Sequence, residues 1–250
     1  MLTALYVLLA GVSVAALLTS PRLSIKRVQI QGAAGLPTVE AQAVSQAAFI
    51  PAGVNTFLAP TGRLEAKLRA LPCVRQASVL RRFPDGLQAK ITLRQTVAIA
   101  QTSAGDFEVD RSGIAIRAAR TEFAANLPHI ALLRPRTVQV GVSLNDTALD
   151  AALEALDKAA MEPALRIAKI EVDLTDNLCL NMQNGIKARL GSPEDVPKKM
   201  ALLATAYRRE PNLASRLLAI NLSCPDWPAC TPRKTAAAPA NETPIMKTPG

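Results

Sequence analysis

Residues 71–94, LPCVRQASVLRRFPDGLQAKITLR, decide how the N-terminal half of this 250-residue chain folds. Leu87, Ala89, Ile91 and Leu93 alternate with Gln88, Lys90, Thr92 and Arg94, the period of a half-buried strand. The run 74–82 is a second strand of the same kind, and Phe83-Pro84-Asp85-Gly86 joins the two as a hairpin. Upstream, Pro72 closes a helix over 61–71 in which Leu64, Leu68 and Leu71 share one face while Arg63, Lys67 and Arg69 lie largely elsewhere. Before it, Thr38 stands as an N-cap with Glu40 in the first turn of a helix running to about Ala48, ended by Pro51-Ala52-Gly53. Earlier still, Val28 and Ile30 alternate with Arg27, Gln29 and Gln31 in a strand closed by Gly32. The order is strand, helix, helix, strand, strand: a compact unit with two helices over one face of a three-stranded sheet.

A second unit begins near Val97. Short strands are expected over 97–102, 107–109 and 114–117, punctuated by Gly105 and Gly113. A helix over 147–161 carries Leu149, Leu153, Leu156 and Ala160 as its apolar stripe. Ile170, Val172 and Leu174 alternate next, and Leu178, Leu180 and Met182 then face Ile186, Ala188 and Leu190 across Asn184-Gly185, a strong hairpin signal. Ser192-Pro193-Glu194-Asp195 reads as a helix start, with the basic pair Arg208-Arg209 at the far end, and Leu217–Leu222 is the last strand.

The two ends differ from this body. MLTALYVLLAGVSVAALL, residues 1–18, has no charged side chain and as a helix is about 27 Å long against a hydrocarbon core of ~30 Å. It reads as a retained anchor, with a cleaved signal peptide as the alternative, although no basic segment precedes it and Leu17-Leu18-Thr19-Ser20 is a poor cleavage site. Arg22, Lys26 and Arg27 follow the apolar run, which taken literally holds the body in the cytoplasm; a start codon upstream of Met1 would supply the missing basic residues on the other side. From about Thr231 the chain is rich in Pro, Ala, Thr and Lys and is expected to be disordered.

The formal charge of +9 raises the question of nucleic acid, but aromatic residues are only 3% of the chain and the basic ones are dispersed, so nucleic-acid binding is excluded in favour of a basic surface near anionic headgroups. Cys73, Cys179, Cys224 and Cys230 form no CxxC pair. Cys224 and Cys230 bracket PDWPA and are a possible disulfide in an oxidising compartment, whereas Cys73 and Cys179 read as small core residues. No catalytic constellation is visible. His129, the single histidine, follows Pro128 in an expected loop; Asp173 and Asp176 read as a turn; Asp106, Glu108 and Asp110 share a strand face between glycine turns. No metal, cofactor or catalytic residue is assigned.

These stretches, taken in order, resemble the FtsQ/DivIB family of bacterial cell-division proteins. The strand–helix–helix–strand–strand unit resembles a POTRA domain, and Leu71-Pro72-Cys73-Val74 through Val79 is similar to the family's LPxVxxAxV pattern. Arg81-Arg82-Phe83-Pro84-Asp85-Gly86-Leu87 is similar to RxWPxxL, with Phe83 where Trp is usual. Thr96-Val97-Ala98, the hairpin Phe107–Gly113, Leu127-Pro128, and Ala188-Arg189-Leu190-Gly191 followed by Lys198-Lys199-Met200 stand where the family has its corresponding segments.

The resemblance implies an α+β protein: an anchor over 1–20, a POTRA domain over 24–95, a mostly β domain with two helices over 96–230, and a tail over 231–250. It implies a non-enzymatic scaffold of the divisome in the plasma (inner) membrane at the septum, its folded domains outside the cytoplasm. The implied partners are FtsB and FtsL type proteins, with FtsK and septal peptidoglycan synthesis proteins as further ones. Physically, such binding is strand addition at a sheet edge. The expected edge is Leu217–Ser223, with Leu217, Ala219, Asn221, Ser223, Cys224, Asp226 and Trp227 as contact residues, unless that strand is already paired. The family often carries an Arg-aromatic pair after this strand, and the chain departs from that with Ser223-Cys224. Trp227 is either an exposed anchor for the partner or a cap on the core. Arg81 and Arg82 mark a second candidate surface, or simply a soluble hairpin. The alternative function is a POTRA-containing accessory of protein secretion or outer-membrane assembly; an envelope hydrolase would require an acidic pair or a metal triad.

Overall fold

A computed structural model describes residues 2–51, 53–120, 127–210 and 212–233. An uncharged helix, α1 (Leu2–Thr19), leads through a 3-10 turn at Pro21–Leu23 into the first domain. Among the described residues no helix is long and apolar enough to cross a membrane.

The first domain contains β1 (Arg27–Gln31), α2 (Thr38–Ala47), α3 (Thr61–Arg69), β2 (Val74–Arg82) and β3 (Gly86–Leu93). Its sheet order is β1-β3-β2, with β1 parallel to β3 and β2 antiparallel to it. Val44 of α2, Leu64 and Leu68 of α3, and Val79, Leu87, Ala89 and Ile91 of the sheet form the core, as the apolar spacings predict. Leu71 lies only partly buried at its margin. Gly32 ends β1 at φ +89°, and a Cβ there would stand 2.1 Å from the Ile91 carbonyl oxygen, so no other residue fits this close approach. The cap of α2 departs from expectation: Pro37 is the capping residue, Thr38 is already helical, and no side chain caps the first turn.

The second domain is one nine-stranded mixed sheet in the order β12-β11-β10-β9-β8-β7-β4-β5-β6. Its strands are β4 (Ala98–Thr102), β5 (Gly105–Val109), β6 (Ala115–Ala118), β7 (His129–Leu132), β8 (Ile167–Val172), β9 (Leu178–Met182), β10 (Lys187–Gly191), β11 (Leu217–Asn221) and β12 (Ala229–Pro232). Helices α4 (Thr147–Ala160) and α5 (Val196–Arg209) cover one face, and a single-turn helix, Leu213–Arg216, precedes β11. Leu149 and Leu153 of α4, Met200 and Leu203 of α5, and Ile170, Leu180, Ile186 and Leu190 of the sheet close the core. The Asn184-Gly185 turn forms as its residues require, with Gly185 at φ +84° and its N–H donating to the Met182 carbonyl at 3.0 Å.

Four expectations are corrected here. His129 lies in β7, not in a loop; the strand is four residues long, flanked by Pro128, and held between β4 and β8 by parallel pairing that local pattern does not reveal. On α4 the buried residue near the C-terminal end is Ala159, with Ala160 exposed, because Ala148, Ala151, Ala152 and Ala155 also face inward and broaden the stripe. Helix α5 begins at Val196, four residues after Ser192, with Pro197 in its first turn; Asp195 at φ +55° and Gly191 at φ +68° turn the chain first. Thr231 and Pro232, expected in the tail, belong to β12, while the tail from Lys234 onward, like Met1 and Ala52, lies outside the described residues.

Candidate protein-binding edge

A sheet recruits another chain through unpaired backbone groups along its outermost strand. The nine-stranded sheet ends in β6 on one side and β12 on the other, and these two edges meet different surroundings.

The β6 edge is turned toward the first domain. Arg117 donates to Glu40 of α2 at 2.5 Å and to Glu108 of β5 at 2.8 Å, while Thr96 Oγ1 donates to the same Glu108 oxygen at 2.8 Å. Arg94, at the end of the first domain, pairs with Asp110 at 2.7 Å. Ile116 inserts into the core of the first domain, and Gly141 lies against Pro72. Glu108 and Asp110, read as acids on a strand face between glycine turns, are also buried junction residues; Asp110 Oδ1 accepts from the N–H groups of Ser112 and Ile114 in the turn at Gly113. Burial alone would raise the Glu108 pKa, but the bonds from Arg117 and Thr96 outweigh it and hold the carboxyl below the usual range.

The β12 edge is free of the first domain. The expected edge strand, β11, is paired on both sides: parallel to β10 through Lys187–Ala219 and Arg189–Asn221, and antiparallel to β12 through Ala219–Thr231, Ile220–Cys230 and Asn221–Ala229. Leu217–Ser223 is thus an interior segment, and the edge is β12, all four of whose residues are exposed. The Arg233 N–H donates to the Arg216 carbonyl at 2.8 Å, so odd-numbered residues turn their backbone groups toward β11 and Cys230 and Pro232 turn theirs outward. Pro232 has no N–H to offer, which leaves Cys230 as the outward donor of this short edge.

The connector from β11 to β12 gathers the rest of the expected contact residues. Asn221 Oδ1 accepts from the Ser223 N–H at 3.0 Å, the Leu222 N–H donates to Arg189 at 2.7 Å, and the Trp227 N–H closes a turn onto Cys224 at 3.1 Å. Asp226 accepts from Lys198 at 2.8 Å in an exposed pair. Trp227 is 82% exposed, so of its two readings the cap on the core falls away. Cys224 and Cys230, the possible disulfide, are both exposed and both free in this structure, one in the turn and the other held in β12 opposite Ile220. Of the other two cysteines, Cys73 is buried as expected and Cys179 only partly so. Beside the connector, Glu171, Cys179, Arg189 and Ser223 help line a cleft of about 410 Å³.

Two residues of the family-like stretches, to which the sequence reading gave no role of their own, support this end. Lys199, fully buried on α5, donates to the Ser192 carbonyl at 2.9 Å; burial pulls its pKa down against the opposing pull of Asp195 and Glu194. Gly191, at the end of β10, packs so closely on Ser223 that a Cβ would lie 2.7 Å from its Oγ. The second candidate surface is partly committed to structure, since Arg81 donates to the carbonyls of Thr56 and Ala59 at 2.9 Å, whereas Arg82 is exposed and donates to Gln88 at 2.6 Å. Asp173 forms the expected turn, accepting from the N–H groups of Asn177 and Thr175, which lower its pKa to about 2.

Residues 23–94 match the POTRA domain, FtsQ-type, and residues 98–223 match Cell division protein FtsQ/DivIB, C-terminal. Among curated proteins the chain is 26% identical over 215 residues to "Cell division protein FtsQ" of Streptomyces collinus, covering 84% of this chain and 80% of that one. It is also 26% identical over 208 residues to the protein of the same name from Streptomyces griseus, covering 81% of this chain and 96% of that one.

Proposed function

This chain belongs to the FtsQ/DivIB family of cell-division proteins, and we propose that it is a non-enzymatic scaffold of the divisome that holds its partners by strand addition at β12. The observation that carries this is the asymmetry of the sheet: the β6 edge is closed against the POTRA domain, while β12 is exposed along its whole length beside Trp227. An extended partner segment gains backbone bonds to Cys230 and the Pro232 carbonyl, and Trp227 supplies the aromatic anchor that interfaces favour. The partners are segments of FtsB and FtsL type proteins, with FtsK and septal peptidoglycan synthesis proteins as further members of the same assembly.

In this reading α1 seats the protein in the plasma membrane at the septum, with both domains on the extracytoplasmic side. Its 18 residues measure about 27 Å, so it sits in a bilayer that thins locally to meet it. The test is capture of the full chain in detergent by the matching FtsB and FtsL ectodomains, comparing Cys230→Pro with the parent. Loss of capture by a variant whose thermal unfolding is unchanged supports the edge; capture undiminished by Cys230→Pro overturns it.

A further inference from the structure

Asn55 is a buried side chain that joins the POTRA domain to the end of α1. Its Nδ2 donates to the carbonyls of Leu17 at 3.1 Å and Leu18 at 2.8 Å, and its Oδ1 accepts from the Phe57 N–H at 2.9 Å. The last carbonyls of a helix have no partner within it, so Asn55 caps α1 from a loop 37 residues further along the chain. The linker is stitched to that loop as well: the Ile25 N–H donates to Val54 at 2.9 Å and the Thr56 N–H to Leu23 at 2.7 Å. Thr56 Oγ1 also lies 3.0 Å from the Pro84 carbonyl, and the N–H groups of Lys26 and Arg27 both point at the Asp85 carbonyl. Two loops, 53–59 and 83–86, are therefore tied by hydrogen bonds to each other and to the linker that leaves α1, the first of them directly to the helix end through Asn55.

These two loops carry large apolar side chains that the fold leaves outside. Phe57 and Phe83 are 43% and 56% exposed with ring centroids 4.6 Å apart, and the neighbouring Leu58 is 61% exposed. Exposed basic residues accompany them: Arg22 and Lys26 in the linker and Arg82 next to Phe83. Aromatic and aliphatic groups rimmed by cations, at the end of an apolar helix, match the boundary between acyl chains and anionic headgroups.

We infer that this surface seats the POTRA domain on an anionic bilayer, with Phe57, Leu58 and Phe83 entering the headgroup layer and Arg22, Lys26 and Arg82 meeting lipid phosphates. The inference rests on α1 being the membrane anchor. It follows that the domain does not swing freely on its linker: α1, Asn55 and the two loops set one orientation of the POTRA domain to the membrane, whichever side the body occupies.

The test uses the full chain in vesicles of phosphatidylglycerol and phosphatidylcholine whose acyl chains are brominated near the headgroup. Trp227, the single tryptophan, is the reference, and the probe is Phe57→Trp in a Trp227→Phe background. Emission from position 57 is expected to fall by at least half relative to unbrominated vesicles and to shift to the blue, with position 227 unchanged. The quenching is expected to weaken in vesicles of phosphatidylcholine alone and when Arg22, Lys26 and Arg82 are all replaced by Gln. A chain that floats with the vesicles but is quenched no more at 57 than at 227 overturns the inference and leaves the anchor standing. Equal quenching with and without phosphatidylglycerol overturns the anionic component. A chain that does not float with the vesicles overturns the anchor and the inference together.

Discussion

Arg117 Nε donates at 2.8 Å to one oxygen of Glu108, which is only 2% exposed, Nη2 lies 2.8 Å from the same oxygen as an ion pair, and Nη1 reaches Glu40 across the domain boundary at 2.5 Å. The contact joins α2 to the edge strand of the nine-stranded sheet and removes that edge from competition for partners. It also makes the two domains a single mechanical piece, because Ile116 beside it is buried in the POTRA core.

Replacing Arg117 with Met is expected to destabilise the chain by about 3 kcal/mol, since it leaves a buried carboxylate without its cation. Urea unfolding followed by circular dichroism measures this as a lower midpoint. Glu40→Gln, which removes only one end of the bridge, is expected to shift the midpoint by less than half as much.

The same carboxylate makes the junction sensitive to acid. The folded-state pKa of Glu108 is depressed below the ordinary glutamate value of about 4.5, so the unfolded state binds the proton more readily. Its contribution to stability is complete above about pH 4.5 and is lost as pH falls through the lower folded value. Thermal melts between pH 7 and pH 3 are expected to show Glu108→Gln losing less stability than the parent over that interval.

Gly191→Ala places a Cβ 2.7 Å from Ser223 Oγ and 2.8 Å from Ser223 Cβ, at φ +68°. Because the obstacle includes Cβ and backbone as well as the hydroxyl, the connector must move, with an expected loss of about 2 kcal/mol. Adding Ser223→Gly is expected to recover part of that loss but not the strain of the left-handed backbone. Chemical denaturation of the single and double variants gives the coupling directly.

Asp146 caps α4 by accepting from the N–H groups of Ala148 at 3.0 Å and Leu149 at 2.8 Å, and it also receives Arg136. Asp146→Ala removes the cap and one of the two carboxylates paired with the mostly buried Arg136, which keeps Asp176 at 3.0 Å, so a loss of about 2 kcal/mol is expected. Asp146→Asn keeps the capping oxygen and is expected to lose less. Burial opposes ionisation of Asp146, but the bonds from Arg136, Leu149 and Ala148 bring its pKa below the ordinary value; the Asn variant is therefore also expected to lose less stability between pH 5 and pH 3.

Short-range patterns were legible wherever one face of an element is buried and the other is not. Leu64 and Leu68 on α3, the alternation in β3 and the Asn184-Gly185 turn all form where the chain says they should, because each is set by residues two to four positions apart. Strands held only by distant neighbours were less visible. His129–Leu132 is four residues between parallel partners, and Ala229–Pro232, whose last two residues read as the start of the tail, becomes a strand because β11 offers it a ladder. Pairing Leu217–Asn221 on its second side moved the candidate edge outward by one strand, while Trp227 and Asp226 kept their places beside it.

The amino-acid sequence alone determined the family, the order of the elements in the first domain, the apolar helix at the start and most of the core faces, because periodicity, turn residues and local motifs are properties of neighbouring positions. Tertiary structure decided which sheet edge stays open, that Glu108 meets Arg117, and that Asn55 caps α1 beside Phe57 and Phe83. Those facts depend on residues dozens of positions apart arriving within hydrogen-bond reach, and only the packed fold brings them there.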